Sequence, residues 1–167
     1  CGDGLAIMSG DDALTLPMMN DPGIRASGVI SVMANLVPKA LSEMVAARAD
    51  GDVGRAGEIG NKVGPLLKIV GVKSRSVRHL PNGQELQVED KFRNPVPLKT
   101  MMAGLGMMGS YCRRPLGPMT RAAVEVCRDA LRAVWEQAPE TLEPIQTHYD
   151  VSVPERLEAD RFWPSAG

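Results

Sequence analysis

Two adjacent carboxylates behind a glycine, in Ser9-Gly10-Asp11-Asp12, are the residues of this 167-residue sequence best placed to do chemistry. Neighbouring acids after a glycine suit a divalent metal, a helix cap, or a ligand site in the loop that follows a strand. Metal binding of that kind needs the acids at a hairpin with a strand on each side, whereas Ala13 to Met19 reads as a helix. A cap needs only an Asp side chain that accepts from the free backbone N–H groups of a first helical turn. A ligand site needs the loop to stand at the carboxyl end of a parallel strand, where α/β folds bind their ligands. Gly10 suits such a loop, because a missing side chain lets a ligand approach the backbone. Cap and ligand loop are compatible, and both are expected here.

Little else in the composition offers a reactive site. The histidines are His79 and His148 alone, which is scant material for a Ser-His-Asp or Cys-His arrangement. Cys1, Cys112 and Cys127 are odd in number and widely spaced, without a second Cys or His at metal-ligand spacing, so thiols in a reducing compartment are expected. No metal and no cofactor is expected. Basic and acidic side chains balance at 19 against 20, which gives no reason to expect nucleic acid or a membrane surface as partner. No apolar run approaches the roughly 18 residues of a membrane-spanning helix. Cys1-Gly2-Asp3-Gly4 lacks the basic-then-apolar order of a signal peptide, so the cytoplasm is the expected location. With aromatics at 4 % and ten methionines, the core must be aliphatic and thioether in character.

The elements that must position the acids read as alternating strand and helix. Leu5 to Met8 is a short apolar run without polar alternation, the pattern of a strand buried on both faces. Pro17 should kink or shorten the helix after it. Asn20-Asp21-Pro22-Gly23 marks a turn, and Gly28 to Val32 reads as a second short, β-branched strand. Asn35 and Pro38 open a helix to about Ala49 with Leu41, Met44 and Val45 inward. Strand, helix, strand, helix at this spacing predicts an α/β unit with parallel strands.

Beyond residue 50 the pattern turns helical. Asp52 caps a helix that keeps the 3.6-residue period from Val53 to Val70, punctuated by Gly54, Gly57, Gly60 and Gly64. Those glycines fit close approach of another backbone or local fraying. Pro97 begins a shorter helix closed by Gly106, and Thr120 caps one whose inner face carries Val124, Cys127, Leu131, Val134 and Trp135. Between them, Ser76–Leu80 and Glu85–Glu89 flank Pro81-Asn82-Gly83-Gln84, a hairpin signal. Lys68, Lys73, Arg75, Arg78, Lys91 and Arg93 surround it, as a solvated surface or a contact for an anion or acidic partner. From Pro139 the chain is proline-interrupted and acidic, which predicts an extended tail, with Phe162 and Trp163 as anchors.

Three stretches together resemble the carboxy-terminal half of the dihydrodipicolinate synthase and N-acetylneuraminate lyase family. They are Ser9-Gly10-Asp11-Asp12-Ala13-Leu14-Thr15-Leu16-Pro17-Met18, Gly28-Val29-Ile30-Ser31-Val32-Met33-Ala34-Asn35 and Asn94-Pro95-Val96-Pro97-Leu98-Lys99, and Arg114-Pro115-Leu116 is similar to a later stretch. The resemblance covers about residues 5 to 135. It implies an α/β chain that holds the last two strand–helix units of a (β/α)8 TIM barrel, followed by an appended C-terminal helical region. The implied division is 1–50 for the barrel units, 51–138 for the helical region with a hairpin inserted at about 71–93, and 139–167 for an extended acidic tail.

Members of that family are class I aldolases that condense or cleave pyruvate through a lysine Schiff base, and they usually assemble as dimers or tetramers. The resemblance places the seventh barrel strand at 5–9 and the eighth at 28–33. Gly10 then matches the glycine beside the keto acid, and Ile30 the residue whose backbone carbonyl faces the pyruvate adduct. The catalytic side chains, the lysine included, would lie upstream of Cys1, so no catalytic side chain is expected in this chain. Lys39, Lys62, Lys68 and Lys99 all sit outside the strand signatures. The implied activity is that of dihydrodipicolinate synthase, with aspartate semialdehyde as second substrate, in lysine biosynthesis. The partners are then pyruvate, a small aldehyde and the missing N-terminal part of the barrel. The alternatives are another family lyase, such as N-acetylneuraminate lyase, or a non-catalytic barrel remnant acting in assembly.

Overall fold

The computed structural model describes residues 4–109, 112–113 and 115–163. They form two compact units, one of residues up to Lys68 with 134–142, the other of residues 69–133 and from 143 onward. In the first, β1 (Met8–Ser9) pairs in parallel with β2 (Gly28–Val29), Met8 opposite Gly28 and Ser9 opposite Val29. The ladder continues past both ends, because Ser27 N donates to Ile7 O at 2.7 Å and Ile30 N to Ser9 O at 2.9 Å. Between the strands come a 3-10 turn, Asp12–Leu14, and α1 (Thr15–Asn20). Pro17 occupies the first turn of α1, where its missing N–H is no loss, and the helix is short as expected.

The strands themselves depart from expectation. Leu5 to Met8 reads as a strand buried on both faces, yet Leu5 and Met8 are 60 % and 42 % exposed, and Ile30 in the second run is 74 % exposed. Two short strands have no neighbour at either outer edge among the described residues, which leaves these three side chains open. The core of the unit lies elsewhere. Met19, Met33, Leu36 and Val37 pack with Leu41 and Met44 of α2 (Pro38–Ala49), whose first residue is the proline. Val45 is half-buried.

Helix α3 (Val53–Leu67) packs on α2 and is capped by Asp52, which accepts from Arg55 N at 2.9 Å. It remains helical through all four glycines, so none marks fraying. At Gly60 the close neighbour is a side chain rather than a backbone: a Cβ there would stand 2.9 Å from Leu16 Cδ1. Gly57 and Gly64 border an open cavity instead, and a Cβ at either would meet nothing within 4 Å.

The second unit holds the hairpin, α4 (Val96–Gly104) and most of α5 (Arg121–Gln137). Strands β3 (Val72–His79) and β4 (Glu85–Phe92) pair antiparallel along their whole length and outrun the predicted segments at both bases. Gly83 N donates to Leu80 O at 2.9 Å and Leu80 N to Gln84 O at 2.8 Å, with Gly83 at φ +81°. This is a type I turn closed by a left-handed glycine. Pro81 leads the turn, so Asn82 and Gly83 do not form a two-residue turn. Only the base is anchored: Val72 and Ser74 are buried, and Ser74 Oγ lies 2.8 Å from Thr120 Oγ1. Beyond it Val77, Leu80 and Leu86 are exposed, and basic residues meet acids across the strands, Lys73 with Glu89 and Arg78 with Asp90, while Lys91 meets Glu89 along its own strand. Such exposed pairs contribute about 0–1 kcal/mol each, so the tip is held mainly by its ladder.

The segment from Pro139 is not the extended tail expected. It forms a 3-10 turn at Pro139–Thr141, then α6 (Glu143–Tyr149), α7 (Val153–Glu158) and a last 3-10 turn at Asp160–Phe162. Pro139, Pro144 and Pro154 each fall in the first turn of one of these pieces, where a backbone N–H has no helical partner to lose. Ser152 caps α7 by accepting from Glu155 N at 3.3 Å. Trp163 does anchor this segment, as expected: its ring lies over Gly104, where a Cβ would come within 2.5 Å of it. Pro164 and residues 165–167 lie outside the described residues.

Because the hairpin is anchored at its base, replacing Ser76–Glu89 by a short Gly-Ser linker should leave the cooperative thermal melt, followed by far-UV circular dichroism, nearly unchanged. Loss of the melt or of assembly would make the hairpin a structural contact.

Candidate functional site

The acids singled out in the sequence do two different jobs. Asp11 Oδ1 accepts from Ala13 N at 2.9 Å and so caps the 3-10 turn that opens toward α1. Ser9 closes the same loop from below, donating from Oγ to Asp11 O at 2.7 Å and accepting from Asp11 N at 3.3 Å. Asp12 turns away from that helix. It is 2 % exposed and accepts from Val32 N at 3.1 Å, from Met33 N at 3.3 Å and from the Ser31 hydroxyl. One carboxylate thus joins the loop after β1 to the loop after β2. The expectation of a cap holds for Asp11, whereas the cross-loop role of Asp12 was not foreseen. The available signal was the doubling of the acid, since one side chain suffices for one cap.

The residues expected to face a ligand lie side by side. Gly10 follows β1, Ile30 follows β2, and the Ile30 N to Ser9 O bond ties their backbones together at the carboxyl ends of parallel strands. A Cβ at Gly10 would meet nothing within 4 Å, and its φ is not in the left-handed region. The described chain therefore gives Gly10 no packing or conformational reason to be glycine. Ile30, expected to act through its carbonyl, leaves its side chain in the open.

A cavity of about 380 Å³ lies nearby in the same unit, between the Asp12–Pro17 segment, Met44 and the glycine face of α3, with Asn61 and Lys68 at its rim. Neither Gly10 nor Ile30 lines it. The lysines are dispersed: Lys39 stands 3.9 Å from Glu43, Lys62 donates to Glu140 at 2.9 Å, Lys68 is at the cavity and Lys99 is on α4. None joins Gly10 and Ile30. Burial pushes the Cys127 thiol up to about 12, so it stays protonated. Cys1 and Arg114 lie outside the described residues. Among the described residues no three His, Cys, Asp or Glu side chains gather as a metal site, and no helix is long and apolar enough to cross a membrane.

The model of the dihydrodipicolinate synthetase family matches residues 1–134. The chain belongs to that family. It is 36 % identical over 126 residues to the 4-hydroxy-tetrahydrodipicolinate synthase of Methanothrix thermoacetophila, covering 75 % of this chain and 35 % of that one. With the Thermomicrobium roseum synthase it shares 33 % over 140 residues, covering 84 % and 38 %. The chain therefore spans a little over a third of the length of these curated relatives.

Two solved structures agree. The Aquifex aeolicus dihydrodipicolinate synthase superposes with a TM-score of 0.59 at 32 % identity, covering 85 % of this chain and 40 % of that one. The Acinetobacter baumannii synthase, solved as a complex with pyruvate, gives 0.60 at 29 %, covering 78 % and 37 %. The family member described here thus has the α/β TIM-barrel class of fold.

Because nothing in the described chain fills the space over Gly10, Gly10→Ala should leave the melting temperature of the isolated chain unchanged, within the roughly 0.5 kcal/mol typical of free surface positions. A clear destabilisation would mean that the fold itself requires the glycine.

Proposed function

We propose that this chain supplies the last two strand–helix units and the appended helical region of a (β/α)8 barrel enzyme, a carbon–carbon lyase of the 4-hydroxy-tetrahydrodipicolinate synthase type. Residues 1–50 would be the barrel units, 51–138 the helical region with the hairpin as an insertion, and 139–167 an addition to the family pattern. The observation that carries this reading is the pair Gly10 and Ile30. They stand at adjacent strand ends on an open face, and the glycine's missing side chain serves nothing within the described chain. A ligand that needs the space over Gly10 accounts for it. The exposed side chains of Leu5, Met8 and Ile30 also suit cover by the remaining barrel strands.

In such an enzyme a lysine amine from outside this chain attacks the keto carbon of pyruvate, water leaves, and the protonated imine becomes an electron sink. Loss of a methyl proton then gives an enamine, whose carbon attacks the aldehyde carbon of aspartate semialdehyde. This chain would contribute the pocket floor: room at Gly10, and the Ile30 carbonyl as a fixed acceptor facing the adduct. A homo-oligomer working in the cytoplasm fits the family resemblance.

Borohydride reduction in the presence of pyruvate makes a lysine imine permanent as a mass increase. The isolated 167-residue chain should not be trapped, because its lysines lie in helices, in the hairpin or at an open cavity rim. Joined to the upstream barrel portion it should be trapped stoichiometrically, with the modified peptide mapping upstream. An adduct on a lysine of the isolated chain would overturn the assignment. No adduct in the completed barrel would favour an assembly role without catalysis.

Within the completed barrel, Gly10→Val should remove turnover while leaving the melt intact. Near-normal turnover measured for that variant would remove Gly10 from the pocket.

A further inference from the structure

We propose that Asp12 is the positioning residue of this pocket floor: its buried carboxylate locks the Ile30 carbonyl and the Gly10 turn into one rigid frame, and thereby orients the keto acid. The inference rests on the reading of Gly10 and Ile30 as the groups that face that substrate. The three donors to Asp12 come from Ser31, Val32 and Met33, the residues directly after Ile30. The Ile30 carbonyl belongs to the peptide plane that ends at Ser31 N, so its direction follows the torsions of these residues. Ser31 is held twice by its hydroxyl, which donates to Asp12 and accepts from Ala34 N at 2.9 Å.

The other end of the frame is equally fixed. Asp12 sits two residues after Gly10, and the Ser9–Asp11 hydrogen bonds close the chain around that glycine. The bond from Ile30 N to Ser9 O is the last backbone link of the β1–β2 pairing, and past it the two loops share none among the described residues. Asp12 adds a side-chain link beyond that edge, which limits the freedom of the two loops to swing. The chemistry explains why the residue is an acid. An ionised carboxylate is acceptor only and can serve three donors, whereas an amide turns one of its two polar atoms into a donor that faces other donors. The hydrogen bonds that Asp12 accepts all come from the 31–33 segment, so its effect passes through backbone geometry.

The test uses the completed barrel with Asp12→Asn and Ser31→Ala. Active sites are counted by pyruvate–borohydride trapping, and kcat is expressed per trappable site beside KM and the melting temperature. Misplacing a substrate-facing group by about 1 Å costs up to about 100-fold, so Asp12→Asn should lose about 10- to 100-fold in kcat per trapped site. Ser31→Ala removes one donor of three and should lose less. In both, kcat should fall by a larger factor than KM changes. A role in stability alone would lower the melting temperature and the number of trappable sites, and leave each remaining site at full speed. If kcat per trapped site stays within about twofold of the parent in both variants, the positioning role is overturned. Should Asp12→Asn fail to fold, the same criterion applied to Ser31→Ala decides. A parent barrel that cannot be trapped removes the aldolase reading, and this inference with it. A parent that traps while both variants turn over normally removes the inference alone.

Discussion

A carboxylate buried in a small fold is tolerated only if every oxygen finds donors, and Asp12 finds three on a segment 19 to 21 residues away. The rest of the first unit is arranged around that requirement. A two-residue parallel ladder cannot hold two loops in register by itself, since isolated strand pairs are marginal in water. The side-chain bridge supplies the missing constraint, and Met19, Met33 and Met44 are buried in the same unit. Losing the carboxylate would strand two backbone N–H groups, at about 1–3 kcal/mol for each one left buried without a partner.

The second unit uses a cation in a comparable way. Arg128 has a side chain only 3 % exposed, and it donates to three partners: Nε reaches Leu157 O at 2.6 Å, and Nη1 reaches Glu125 at 2.9 Å and Asp160 at 2.6 Å. The hydrogen bond from Arg128, helped by the nearby charge of Arg121, holds the Asp160 carboxyl below the ordinary carboxylate range. Arg156 donates to Gly104 O at 3.1 Å, and Trp163 donates from Nε1 to Arg156 O at 2.7 Å. The acidic, proline-rich stretch is thereby clasped onto α4 and α5. Leu157, Asp160, Arg156 and Trp163, which make these contacts from the C-terminal side, lie beyond residue 134, where the family match ends.

Much of this was legible in the residues. The boundaries of α2, the Asp52 and Asp11 caps, the hairpin and the buried face of α5 all follow from local rules, because capping, turn chemistry and helical period act within a few residues. Elsewhere the sequence signal was present but read incompletely. Ser152-Val153-Pro154-Glu155 has the spacing of a helix start, and prolines that look like interruptions are harmless in a first turn. The four glycines of α3 could not be resolved by pattern, since their meaning depends on which neighbours come close: Leu16 at Gly60, open space at Gly57 and Gly64.

By itself, then, the sequence determined the local elements and the family, because short-range hydrogen bonding and three specific stretches of residues are both properties of the linear chain. Tertiary structure alone decided that Asp12 partners Ser31, Val32 and Met33, that Arg128 is buried against the C-terminal segment, and that Leu5, Met8 and Ile30 stay exposed. The reason is the same in each case. A buried charge and an uncovered apolar face are defined by what lies opposite in space, and no periodicity along the chain specifies a partner tens of residues away.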